Sequence, residues 1–247
     1  MAAHDVWTTF LDTLGATLRP ALPGTGWVLA GVVLGALLVA TPAWTLARPF
    51  VTVVHELGHA VVGLLCGRRF TGFVVAADMS GHTLTRGRTR GGGIVATTAA
   101  GYPAPAVVGA LMVWAGSQGW SRSVMLAACV AFLVALVRSR SALTVLVLTV
   151  LVLGAAFLWW ADVPDARAVL VVALGVVLLV GAWRQWIAVA RSADPSQDPA
   201  VLRRLSGIPM VVWHALFLLV IGASTVWAVL TLWPILVRTV GASSAPS

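Results

Sequence analysis

Seven runs of apolar residues punctuate the chain, at 25–43, 46–66, 94–115, 122–137, 141–160, 167–183 and 209–237. A transmembrane helix needs about 20 such residues, within a range of roughly 17–25. All but the fourth run meet that length. The fourth would span only about 24 Å at about 1.5 Å per residue, against a hydrocarbon core of about 30 Å. Residues 5–18 show a different pattern. Val6, Trp7, Phe10, Leu11, Leu14 and Leu18 recur at helical spacing with polar residues between them, which predicts an amphipathic helix lying in the membrane interface. This segment has neither the basic start nor the small-residue cleavage site of a signal peptide. Between the second and third runs, 70–77 and 82–86 are rich in Phe, Val and Thr. They flank Asp78-Met79-Ser80-Gly81, which has turn chemistry, so a β-hairpin over about 68–90 is expected.

The fold class that follows is an all-α polytopic membrane protein of about seven transmembrane helices with a small cytoplasmic β-hairpin. Its parts are an interfacial segment at 1–24, one transmembrane domain at 25–240 and a small, polar, disordered tail at 241–247. Composition agrees. With 60% hydrophobic and 10% charged residues the chain could not clothe a water-facing surface, which excludes a soluble enzyme. Two cysteines, Cys66 and Cys129, exclude a disulfide scaffold.

The net charge of +8 comes entirely from arginine on the basic side. Most of these arginines lie in short loops between apolar runs. They therefore read as topological signals rather than as a nucleic-acid surface. With the N-terminus cytoplasmic and the C-terminus outside, Arg48, Arg122, Arg167 and Arg238 fall outside and the other twelve of the sixteen fall inside. That bias orients a multi-pass protein of the plasma membrane, with the 67–93 and 184–208 loops in the cytoplasm. Trp44, Trp159, Trp160 and Trp233 near the run ends suit the interfacial aromatic belt.

The second run contains His55-Glu56-Leu57-Gly58-His59. On a helix, positions i and i+4 share one face, so both imidazoles can bind one Zn²⁺. The intervening glutamate can accept a proton from a water that the metal activates. Chance is a poor explanation for the motif. The chain has five His and one Glu, and three of those six residues fall within this pentapeptide. Ionisable groups in a membrane span cost about 2.5–3.5 kcal/mol each on insertion scales and mark functional sites.

A catalytic zinc site takes a third protein ligand. A second Glu does not exist, and the extended pattern H-E-x-x-H-x-x-G-x-x-H fails at Val62 and Leu65. The residues leave Asp78, His82, Asp194, Asp198 and His214 open. Asp194 and Asp198 precede the last run at a compatible depth. Each is also followed by Pro, which fits a helix N-cap equally well.

His55-Glu56-Leu57-Gly58-His59, followed by small and apolar residues, resembles the site-2 protease family of intramembrane zinc metallopeptidases. Ala100-Gly101-Tyr102-Pro103-Ala104-Pro105-Ala106 is similar to that family's Gly/Pro segment after the β element. Ser196-Gln197-Asp198-Pro199-Ala200-Val201-Leu202 is similar to the late Asp-bearing segment of its compact bacterial branch, which lacks a PDZ domain. The family's usual Asn-x-x-Pro-x-x-x-Leu-Asp-Gly segment is absent. The resemblance implies Asp198 as third ligand beside His55 and His59, Zn²⁺ as cofactor and Glu56 as general base. It also implies single-span membrane proteins as substrates. Two non-proteolytic readings compete, a zinc-binding assembly factor and a metal transporter. An intact Glu56 weighs against the first. The second calls for further ionisable residues along the spans, and almost none is present.

Overall fold

The computed structural model describes residues 3–75 and 81–243. Among these lie ten helices and one two-stranded sheet. In order they are α1 (Ala3–Thr17), α2 (Thr25–Ala40), α3 (Trp44–Leu65), β1 (Arg69–Val75), β2 (Gly81–Arg86), α4 (Gly92–Ala99), α5 (Pro103–Ser117), α6 (Ser121–Val137), α7 (Ala142–Trp160), α8 (Pro164–Ala190), α9 (Asp198–Ser206) and α10 (Met210–Ser243). The expected hairpin is present. β1 and β2 pair antiparallel, with Arg69 opposite Arg86 and an irregularity between Phe70 and Gly72. Its expected turn at 76–80 lies outside the described residues. α10 carries the first three residues of the expected tail, and 244–247 also lie outside the described residues.

Among the described residues, three helical segments are long and apolar enough to cross a membrane alone: α7, α8 and Met210–Thr239 of α10. The count rises to five if α2 with α3, and α4 with α5, each form one bent span. Packing does not carry the seven-span arrangement. That arrangement requires the first and sixth runs to cross in opposite directions, yet α2 and α8 run side by side in the same direction. A Cβ on Gly31 would lie 2.7 Å from Val169 O, and one on Gly35 2.7 Å from Ala173 O, so four residues along α2 advance four along α8. The small residues permit this close backbone approach. α8 is also antiparallel to α5, since Gly109 faces Gly175 while Gly116 faces Val172.

These contacts define two ends of the bundle. At the far end lie α1, the α5–α6 turn and the α7–α8 loop. Ala21 N donates to Gly119 O at 3.0 Å, Trp159 Nε1 to Thr17 Oγ1 at 2.8 Å, and Arg122 pairs with Asp162 at 3.5 Å. At the other end Arg184 Nη2 donates to Val39 O at 2.8 Å. α3 begins there, with the Arg184 guanidinium 4.5 Å from the Trp44 ring centroid. It finishes there too, because it leads into β1, whose Phe70 and Thr71 carbonyls accept from Arg138 and Arg140 just past α6. α3 turns 103° from α2 and lies crosswise near this end, so the run 46–66 is not the face-to-face crossing that its length suggested. The cause is local. Thr41 precedes Pro42, and proline disfavours the helical region for the residue before it; Thr41 accordingly sits at φ −111°, ψ 172°.

Candidate metal centre

The crosswise α3 turns one polar face toward α9 and the α4–α5 break. Its opposite side is packed: Val53 is buried against α6 and α7. His55 and His59, one turn apart, bring their Nε2 atoms to 3.2 Å. Asp198, the first residue of α9, places Oδ2 3.4 Å from His55 Nε2 and 3.3 Å from His59 Nε2. Donors about 2.0–2.1 Å from a tetrahedral Zn²⁺ stand about 3.3–3.4 Å apart, so the three separations fit one ion. Two further features fit. His59 Nδ1 lies 2.7 Å from Thr97 O, a carbonyl that can only accept; the proton therefore sits on Nδ1 and the Nε2 lone pair faces the cluster. Asp198 Oδ2 is buried without a hydrogen-bond partner.

Of the other candidates, Asp194 and His214 are not brought in. Asp194 is exposed and turned into its own loop, where Oδ1 accepts from Ser196 N at 2.8 Å and from Ser196 Oγ at 2.7 Å. Those bonds hold its carboxyl below the usual range. Asp194 is a turn-former, not part of the cluster. His214 sits on α10, where its carbonyl accepts from Trp186 Nε1 at 3.1 Å, and it does not join the group. Asp78 and the side chain of His82 lie outside the described residues. The capping reading of Asp198 is corrected: Gln197 occupies the N-cap, Asp198 is already helical, and no side chain caps α9. A carboxylate in the first turn still complements the helix dipole.

Two glycines set the packing around the donors. A Cβ on Gly58, inside the motif, would lie 2.5 Å from Ala104 Cβ and 2.9 Å from Ala100 O, so its absence lets α3 reach the α4–α5 break. At that break, a Cβ on Gly101 would lie 2.6 Å from His55 Nε2 and closer still to the His59 ring. Beside Gly101, Tyr102 sets its ring edge-on to His55, with centroids 4.8 Å apart. Sequence reasoning placed Gly101 and Tyr102 only within a similar segment. The Gly-Tyr-Pro interruption of an apolar run was the available signal.

A cavity of about 740 Å³ opens over the cluster. Glu56, only 5% exposed, lines it together with Thr83, Thr85, Tyr102, Arg48 and Arg184. The hairpin is tied to the motif, since Thr83 Oγ1 donates to Glu56 O at 2.9 Å. A model of the Peptidase M50B-like family matches residues 28–228, most of the chain. The chain belongs to this family. The match supports the resemblance to site-2 proteases, and the family is one of membrane metallopeptidases. No curated protein and no solved structure matches the chain. In this M50B-like chain the matched stretch includes every element that meets at the donor cluster.

Proposed function

We propose that this chain is an intramembrane zinc endopeptidase that cleaves membrane-embedded protein segments. His55, His59 and Asp198 hold Zn²⁺, and Glu56 is the general base. The observation that carries this reading is the triangle of donors with 3.2–3.4 Å sides beside a buried glutamate. Bound zinc supplies Lewis acidity, which polarises the scissile carbonyl and acidifies water. Glu56 takes the proton from the attacking water and returns it to the leaving amine. Thr97 O fixes the His59 tautomer, and Gly101 leaves room above the imidazoles. The cavity admits a short unwound stretch of substrate, and the β2 edge at Thr83 and Thr85 offers it strand pairing. An intact Glu56 favours hydrolysis over a non-proteolytic zinc-binding role.

The site end faces the cytoplasm in this reading. Relative to the seven-span expectation, Arg19 moves to the far end and Arg48 to the site end. The twelve-to-four arginine bias is preserved, but the N-terminus joins the C-terminus outside. Cysteine labelling of intact cells tests it, in a background with Cys66 and Cys129 replaced by Ser. Leu18→Cys, at an exposed position, should react with an impermeant reagent from outside, and Ser196→Cys should not. Protection of position 18 would restore a cytoplasmic N-terminus.

Asp198→Asn tests the ligand assignment. It retains a carbonyl oxygen and nearly the same volume while removing the charge. Zinc content of the purified protein should drop well below one per chain, and cleavage of a reporter transmembrane peptide should be lost. A zinc-replete, active Asn variant would refute the assignment.

A further inference from the structure

We infer that Tyr102 and Gln197 form a clasp that seats Asp198 against the imidazoles, which makes Tyr102 a positioning residue of the centre; this deepens the zinc reading above and rests on it. α9 has nine residues, and its fully buried Leu202 pins its middle to the core. Pro199, next to Asp198, is buried as well, so α9 rests on the core and Asp198 stands at the edge of its first turn. The turn before it, at 194–197, is held by Asp194 bonding within its own loop and by Arg204 Nη1 donating to Pro195 O at 2.7 Å. The link across to the rest of the site is the Tyr102 hydroxyl, which donates to Gln197 Oε1 at 2.8 Å. Gln197 is the residue immediately before Asp198, and its amide nitrogen also reaches Asp194 Oδ2 at 3.4 Å.

Tyr102 itself has little freedom. It is 6% exposed and stacks on Phe217, with centroids 5.5 Å apart and planes 24° apart. Its edge meets His55 at an interplanar angle of 88°. One rigid side chain therefore touches one donor residue and is bonded to the neighbour of another. Outer contacts of this kind typically change metal affinity by about 10–100-fold when removed.

The test uses the full chain in detergent. Tyr102→Phe removes only the hydroxyl and keeps the ring packing; Gln197→Met removes the acceptor at similar length. Zinc affinity is measured by chelator competition with zinc alone, and α9 ordering by hydrogen exchange of the 198–202 amides. Each variant should weaken zinc binding roughly tenfold and speed α9 exchange, with the double variant no worse than either single one. Parental values for both measurements in both variants overturn the clasp. Independent, multiplying losses in the double variant overturn it as well. If the parent chain binds no zinc, the zinc reading falls, and faster α9 exchange in the two variants still supports the clasp while parental exchange overturns it.

Discussion

Glu56→Gln should stop peptide cleavage while leaving one zinc per chain. The glutamate is absent from the donor triangle, yet it lines the same cavity and is almost fully buried. Gln keeps the shape and the hydrogen-bonding oxygen but cannot accept and hold a proton at neutral pH. General acid–base catalysis contributes about 10²–10⁴-fold, and this one residue serves both the attack and the departure of the amine. The expected loss in kcat lies at the upper end of that range, with KM little changed, because the substrate still meets the same walls. The chain has no second glutamate, and neither candidate aspartate among the described residues can substitute: Asp198 lies within the donor set and Asp194 is turned into its own loop. Zinc analysis beside single-turnover cleavage of a reporter separates the outcomes. A Gln variant with near-normal turnover would remove Glu56 from the chemistry. One that loses its zinc would make Glu56 a support of the centre instead.

The sequence exposed this site unevenly, and the reasons are physical. His55, Glu56 and His59 stood out because helical spacing alone puts the imidazoles together and because ionisable groups are costly among apolar residues. Elimination and depth brought Asp198 only into a group of candidates and resemblance singled it out, since no spacing rule joins residues 139 positions apart; the fold joins them through α9. Thr97 could not be found at all, because its contribution is a backbone carbonyl that any residue supplies. The hairpin was legible from its β-rich flanks and turn residues. The direction of α2 was not. Hydropathy reports how long a run is but not where its end points, and an alternating sequence of spans was the natural default. The 103° turn after Thr41 and the parallel packing of α2 on α8 break that alternation. The consequence for function is direct. A crosswise α3 turns its polar stripe, with His55, Glu56 and His59, toward α9 and the cavity.

Gly101→Ala, a change of one methyl group, should disable the centre. Gly101 has no positive φ, so alanine is compatible with its backbone and the effect isolates steric fit. The new Cβ would stand 2.6 Å from His55 Nε2 and nearer to the His59 imidazole, well inside the separations that real Cβ atoms tolerate. Neither ring can retreat easily. His59 is held through Nδ1 to Thr97 O at 2.7 Å, and His55 is backed by the Tyr102 ring. The break itself cannot back away from α3 without opening the Gly58 contact with Ala100 and Ala104. Displacement of a donor by something near 1 Å is the remaining outcome, and misplacement of that size costs about 10²-fold in rate. Zinc affinity should fall as well, by at least roughly tenfold. Gly222→Ala on α10 is the matched control. Nothing lies within 4 Å of the Cβ it would add, and replacing a mid-helix glycine gains about 1 kcal/mol of helix propensity. It should therefore leave zinc content and cleavage at parental levels. Comparing the two alanine variants for zinc content, thermal unfolding and cleavage separates a local collision from general loss of fold. A Gly101→Ala protein that keeps full zinc and full activity would mean that the space above the imidazoles is not where the chemistry happens.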